Sequence, residues 1–387
     1  MIADEHSWLK RSYSLMHSTT YPQEQRTHTI GADGRLGDNR ELIDRYDCLI
    51  QDQRLQWTTY HRLERVLGSG GQGIVFLSYR RGADNFALPV AMKFFSPERF
   101  SSQAAYEHAM ARIGAVASRV GRIQHDGVLD VQDFVDRNRI RIMVMEWVDG
   151  FDLRELSDLK KLAGIRGRVS QKRWDYINSV IVTSGPVQCR FKAGVAVAIV
   201  RDCLAALAAM HRERIVHGDI KPSNIMLKRT GHAKLIDIGS AIELDNPPPV
   251  RSCTPSYAAP EVLENAPTSP RSDLASLGYV LIELLSGRPC FTENDSLKSL
   301  LEAKRTLAQR LPELLPDEVT RNDLLMNFCR GLVAPDPNRR FPSAEAAELL
   351  EDGAARFHRQ LVLSNLASEY DNEIRVWLEE LKQLDAS

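Results

Sequence analysis

His217-Gly218-Asp219-Ile220-Lys221-Pro222-Ser223-Asn224, followed by Leu235-Ile236-Asp237-Ile238-Gly239, decides how this 387-residue chain is read. The first run sets a carboxylate able to take the proton of an attacking hydroxyl beside a cation able to neutralise a moving phosphoryl group. An amide and a second carboxylate then follow as oxygen donors for Mg²⁺. Asp219 and Lys221 are the candidate reacting groups, and Asn224 and Asp237 the candidate metal ligands. Those residue types in that order are what phosphoryl transfer requires.

Working outward, Gly68-Ser69-Gly70-Gly71-Gln72-Gly73-Ile74-Val75 lies upstream. Its glycines let a hairpin turn approach phosphates closely with its N–H groups exposed to them. A dinucleotide-binding reading needs a helix directly after the glycines and an acid about twenty residues on; here the strand-like run Ile74 to Tyr79 follows instead. Next, Val90-Ala91-Met92-Lys93 puts a lysine in a buried strand pattern. Burying a charge costs free energy, which favours a chemical role for it.

Taken together, these motifs resemble those of eukaryotic-like serine/threonine protein kinases, G-x-G-x-x-G-x-V, V-A-I-K, H-R-D-L-x-x-x-N and D-F-G. The chain departs at Gly218, which makes an H-G-D variant, and at Ile238. The resemblance implies an α+β, bilobal protein-kinase-like fold with a small β-rich N-lobe and a larger helical C-lobe. It also implies ATP and Mg²⁺ as cofactors, and transfer of the γ-phosphate to Ser/Thr hydroxyls of protein substrates. On that resemblance Gly68, Ser69, Gly70, Gly71, Gln72, Gly73, Val75 and Ala91 surround ATP, and Lys93 contacts its phosphates while pairing with a helix glutamate, for which Glu107 is the candidate. Met143 to Gly150 resembles the hinge, with Met145 as gatekeeper, Glu146 and Val148 as adenine contacts and Asp152 beside the ribose.

Cys253-Thr254-Pro255-Ser256-Tyr257-Ala258-Ala259-Pro260-Glu261 resembles the substrate-side loop, in which Thr254 links the base to Lys221. The resemblance further implies that Glu261 pairs with Arg340 and that Asp273 holds the backbone of the catalytic loop, all three as scaffold. Small-molecule kinases such as aminoglycoside phosphotransferases share the fold and often carry H-G-D, and a nucleotide-binding pseudokinase scaffold is a third class. Lys221 with Pro222, Thr254 and Ala259-Pro260-Glu261 favour a protein substrate, while Lys93, Asp219, Asn224 and Asp237 together favour catalysis. Gly218 also lacks the cation that a phosphate on the activation loop would neutralise, so activity independent of loop phosphorylation is expected.

With 50 Lys+Arg against 51 Asp+Glu the net charge is -1, which provides no global field for nucleic acid or an anionic membrane. The longest apolar run, Ala193 to Val200, falls well short of the roughly 18 residues of a membrane span. Met1 to Thr20 has no apolar core like a secretory signal. A soluble cytoplasmic protein with protein substrates, and with neither nucleic acid nor membrane as partner, is therefore expected. The six cysteines lack C-x-x-C pairs, which argues against zinc and against a disulfide framework.

Composition divides the chain into four parts. Residues 1–39 are expected to be disordered, and 40–60 to form a helical lead-in with Leu42, Ile43, Tyr46, Leu49 and Ile50 at helical spacing. The kinase-like domain takes 61–355, with its N-lobe at 61–145, its C-lobe at 149–355 and a basic insertion at about 157–191. Residues 356–387 are a helical extension whose stripe of Tyr370, Ile374, Trp377, Leu378 and Leu381 is expected to pack on the large lobe. The insertion is read as either a solvated basic face or a docking surface for an acidic partner.

Overall fold

The computed structural model describes residues 28–30, 39–52, 54–56, 60–82, 84–248, 251–292, 296–363 and 370–385. The reading of 1–39 as disordered therefore falls mainly outside the described residues. Within them the chain begins with β1 (His28–Ile30), α1 (Arg40–Gln51), β2 (Arg54–Gln56), β3 (Tyr60–Gly70), β4 (Gly73–Arg81) and β5 (Ala87–Phe95). Helix α2 (Gln103–Val120) precedes β6 (Val131–Arg137) and β7 (Ile140–Glu146). Strands β2 to β7 form one antiparallel sheet in the order β2-β3-β4-β5-β7-β6. The β-branched and aromatic run of β5 is buried from Val90 to Phe95, as befits a strand covered on both faces. Helix α2 is tied to the sheet by Tyr106, whose hydroxyl donates to Phe95 O at 3.2 Å and accepts from Arg141 N at 2.8 Å. Helix α1 buries Leu42, Tyr46, Leu49 and Ile50 in the same core.

After the hinge come β8 (Gly150–Asp152), α3 (Leu153–Leu156) and the insertion. The insertion folds as α4 (Leu159–Arg166), α5 (Gln171–Tyr176), a π-helical turn and the hairpin β9 (Val182–Ser184) and β10 (Cys189–Phe191). Helix α6 (Ala193–Arg212) is the central helix of the larger lobe. It is the one helix among the described residues long and apolar enough to cross a membrane, and its apolar residues are spent on the core, where 14 residues from Gly194 to Met210 are buried. Short strands β11 (Ile215–Val216), β12 (Ile225–Lys228), β13 (Ala233–Leu235), β14 (Ile242–Glu243) and β15 (Arg251–Cys253) frame the loops that follow. Strand β1 pairs antiparallel with β15.

The remaining helices are α7 (Pro260–Leu263), α8 (Pro270–Ser286), α9 (Leu297–Leu314), α10 (Asp317–Thr320), α11 (Asp323–Val333), α12 (Ala344–Leu349), α13 (Ala354–Leu363) and α14 (Tyr370–Asp385). Helix α8 opens on a Ser269/Ser272 capping box and ends at Gly287 in the left-handed region, so both ends have satisfied backbone groups. The result is a bilobal kinase-like fold, β-rich in its first half and helical in its second. The apolar stripe of α14 buries Tyr370, Ile374, Trp377, Leu378 and Leu381, with Trp377 edge-on to Phe191 at 5.9 Å.

The basic residues of the insertion are partly paired within the chain. Arg173, part of its basic run, donates to Glu380 of α14 at 2.8 Å and lies 3.6 Å from Glu373. Arg168 donates to Gln383 O at 2.9 Å, and Lys161 pairs with Glu155. Arg168 and Arg173 thus help hold the C-terminal helix, while Lys161 is paired with the preceding helix.

Candidate active site

The loop after β11 is set by one buried carboxylate. Asp273, 1% exposed, accepts from the backbone N–H groups of His217 and Gly218 at 2.8 and 2.9 Å, and His211 Nε2 lies 2.9 Å from it. Charge-assisted bonds of this kind compensate for taking the carboxylate out of water. Gly218 sits at φ +77°, and a Cβ there would lie 2.8 Å from Ser240 O. Glycine is therefore the least strained residue at this position.

Asp219 follows, 4% exposed. Its Oδ1 accepts from Thr254 N at 3.1 Å and from Thr254 Oγ1 at 2.7 Å. Its Oδ2 lies 3.0 Å from Lys221 Nζ and 3.2 Å from Asn224 Nδ2, which also donates to Asp219 O at 2.8 Å. Lys221 Nζ donates to Thr254 Oγ1 at 3.1 Å. Thr254 accepts from the lysine and donates to the aspartate, so a residue far along the chain joins the two.

Asp237 adopts φ +59°, and its side chain accepts from Gly239 N at 3.0 Å. Lys93 Nζ donates to Asp237 Oδ1 at 2.5 Å. Burial alone would raise the Asp237 carboxyl, yet the Lys93 ammonium and the Gly239 N–H hold it down at about 2. Asn224 and Asp237 both border the interlobe cleft. Two oxygen donors are few for an ion caged by protein alone, but they suit Mg²⁺, which keeps waters and phosphate oxygens in its shell.

The cleft has a volume of about 620 Å³. The glycine turn Gly68, Ser69, Gly70, Gly71, Gln72 and Gly73 covers it together with Val75, Ala91 and Lys93, and Met145, Glu146, Val148 and Asp152 line the hinge side. Ala91 and Met145 face each other across β5 and β7. Glu146 pairs with Lys234, and its Oε1 accepts from Asp130 N at 2.7 Å. Asp152 caps α3 by accepting from Glu155 N at 2.7 Å, and burial raises its carboxyl to about 6.

Glu107 is not brought to Lys93. Its Oε1 accepts from Gln103 Nε2 at 2.8 Å, one turn back on α2. That part of the helix turns Tyr106 and Met110 inward, both fully buried, and leaves Glu107 off the inner face. Lys93 instead donates to Asp237 and to Gln72 Oε1, the latter at 2.7 Å. The sequence reading also missed Leu378, Glu379 and Lys382 of α14, which border the cleft mouth. Lys382 Nζ donates to both carboxylate oxygens of Asp149 at 2.9 and 2.7 Å. The helical stripe pointed to packing, but nothing local to α14 pointed to the hinge.

The scaffold pair is in place. Arg340 donates to both oxygens of Glu261 at 2.7 and 2.8 Å, with Ser272 Oγ adding a third bond at 2.9 Å. Lys304 of α9, fully buried, donates to Ser256 O at 2.8 Å and lies 4.2 and 4.0 Å from the ring centres of Tyr279 and Phe291. It thereby braces the loop of residues 253–261.

A family model described as "Protein kinase domain" matches residues 60–351. The chain is 30% identical over 299 residues to the serine/threonine-protein kinase PkaA of Streptomyces coelicolor, a match covering 73% of this chain and 48% of that protein. It is 27% identical over 298 residues to the serine/threonine-protein kinase PrkC of Bacillus subtilis, covering 74% and 39%. With the serine/threonine-protein kinase PknL of Mycobacterium tuberculosis it shares 30% over 241 residues, covering 61% and 51%. The matched stretch spans about half the length of these relatives or less.

Proposed function

Because the chain belongs to the protein kinase family, we propose that it is a serine/threonine protein kinase that transfers the γ-phosphate of ATP to protein hydroxyls. The carrying observation is the Asp219–Thr254–Lys221 network together with the Lys93–Asp237 pair, with Lys221, Lys93 and Asp237 all bordering a cleft that the glycine turn also lines. In this reading Asp219 takes the proton of the incoming Ser or Thr hydroxyl, and Thr254 and Asn224 hold its carboxylate in place. Lys221 sets a positive charge beside the phosphoryl group in transfer. Lys93 orients the α- and β-phosphates, Met145, Glu146 and Val148 receive the adenine, and Asp152 the ribose. Asn224 and Asp237 would hold Mg²⁺, which supplies charge neutralisation to the phosphates when bound.

The contacts of Thr254 with both Asp219 and Lys221 favour a protein acceptor over a small molecule, since this residue belongs to the substrate-side loop. The same contacts exist in the unmodified chain, and the His217-Gly218-Asp219 loop has no arginine to be neutralised. Both observations support activity without activation-loop phosphorylation.

The test incubates purified protein with Mg²⁺-ATP, a generic basic protein and small-molecule acceptors, and locates the phosphate formed. Phosphate on Ser or Thr is expected, and phosphate confined to a small molecule would replace this reading. Lys93→Met, Asp219→Asn and Asp237→Asn should each remain folded by circular dichroism. Asp219→Asn should lose about 10²- to 10⁴-fold in rate, the usual contribution of a positioned acid or base. Phosphatase-treated enzyme and Ser252→Ala should match the initial rate of the untreated protein, whereas a lag abolished by phosphorylation would refute phosphorylation independence.

A further inference from the structure

We propose that Gln72, on the glycine turn, is the positioning residue for Lys93, in the role a helix carboxylate would otherwise play. This deepens the kinase reading and rests on it. A buried ammonium needs acceptors, and among the described residues the side chains that accept from Lys93 Nζ are Asp237 at 2.5 Å and Gln72 Oε1 at 2.7 Å. Helix α2 offers no substitute. Its one acid is Glu107, bonded to Gln103, and its inward side is apolar at Met110, Val116 and Val120.

Gln72 is held at both ends. It is 7% exposed, and its Nε2 donates to Ser240 Oγ at 2.9 Å while its Oε1 faces the lysine. That contact fixes the sense of the amide, because the opposite flip would set an NH₂ group against an ammonium. The room for it comes from Gly239, where a Cβ would lie 2.1 Å from Gln72 Oε1 and 3.0 Å from Lys93 Nζ. Turn, strand and metal loop are thereby tied through one amide.

The chemistry gives this arrangement a purpose. Asp237 is also a candidate holder of Mg²⁺, and an oxygen given to the metal would leave less for Lys93. A second acceptor then keeps the ammonium aimed at the phosphates. An uncharged one leaves the positive charge of the lysine undiminished for that contact.

The experiment is a double-mutant cycle read as ATP affinity by calorimetry, in EDTA and without divalent metal. Wild type, Gln72→Leu, Gln72→Glu, Lys93→Met and Gln72→Leu/Lys93→Met are compared. Gln72→Leu, close in size but unable to accept, should weaken ATP binding about tenfold, the scale of one hydrogen bond to a charged group. Gln72→Glu should restore most of it, since an accepting oxygen returns and Ser240 can donate in turn. In the Lys93→Met background Gln72→Leu should change nothing. An equal loss in both backgrounds overturns the assignment, as does tighter ATP binding by Gln72→Leu, the mark of a side chain that merely fills the cleft. Wild-type protein that binds ATP but transfers no phosphate refutes the kinase reading and leaves the cycle interpretable. Wild-type protein that binds ATP neither in EDTA nor with Mg²⁺ present overturns both.

Discussion

At Gly218 the backbone holds φ +77° with the Ser240 carbonyl close behind. Gly218→Ala puts an L-residue in left-handed space, which costs about 1–2 kcal/mol, and pushes against the loop that carries Asp237. Its urea midpoint should fall accordingly, and kcat should fall with it because Asp219 is the next residue. An unchanged midpoint would show that the turn relaxes freely. Asp237 carries a pH signature of its own. Its carboxyl is held at about 2 in the folded chain against 3.8 ordinarily, so its contribution to stability is complete above the ordinary value and is lost as pH falls through the folded one. Between about pH 4 and pH 2 the urea midpoint of wild type should drop further than that of Asp237→Asn. Equal slopes would mean that Lys93 does not stabilise the charged carboxylate.

Elements were legible to different depths. The helical spacing of Leu42, Tyr46, Leu49 and Ile50 falls on the buried face of α1. Over 356–387, where a helical extension is expected, the described residues belong to α13 and α14, with 364–369 and 386–387 outside the described set. The candidate catalytic side chains and the Glu261–Arg340 pair are legible as candidates because each sits inside a short motif with a characteristic spacing. The Gln72 contact with Ser240, and that of Arg173 with Glu380, are not, because each joins residues far apart in sequence. Periodicity shows that a face is apolar but not which surface will receive it. For α14 that surface includes Phe191. Trp377→Ala should cost about 3–5 kcal/mol, as buried aromatic truncations do. Trp377→Phe should cost far less, since the indole N–H has no hydrogen-bond partner among the described residues. Chemical denaturation of both variants checks the pair, and equal losses would place the burden on ring size rather than on burial.

Across the whole molecule the Glu261–Arg340 pair joins the end of the substrate-side loop to the segment between α11 and α12. Removing one partner strands a buried charge, so Glu261→Ala or Arg340→Ala should each lose roughly 3–5 kcal/mol. The double variant Glu261→Gln/Arg340→Met should unfold at a higher temperature than either, because it strands none; a melting temperature unchanged in both single variants would refute the pairing. Lys304 lies under the same loop, sealed between two aromatic rings with its amine on Ser256 O. Burial lowers its pKa well below that of an ordinary lysine, but no reagent meets it while α9 stays docked. An amine-acylating label followed by peptide mass spectrometry would therefore mark Lys304 only in molecules that have opened. The mark is irreversible, since the amide formed is stable, and an acylated side chain no longer fits between Tyr279 and Phe291, so its accumulation over time counts openings of the face formed by residues 253–261 without any inserted dye.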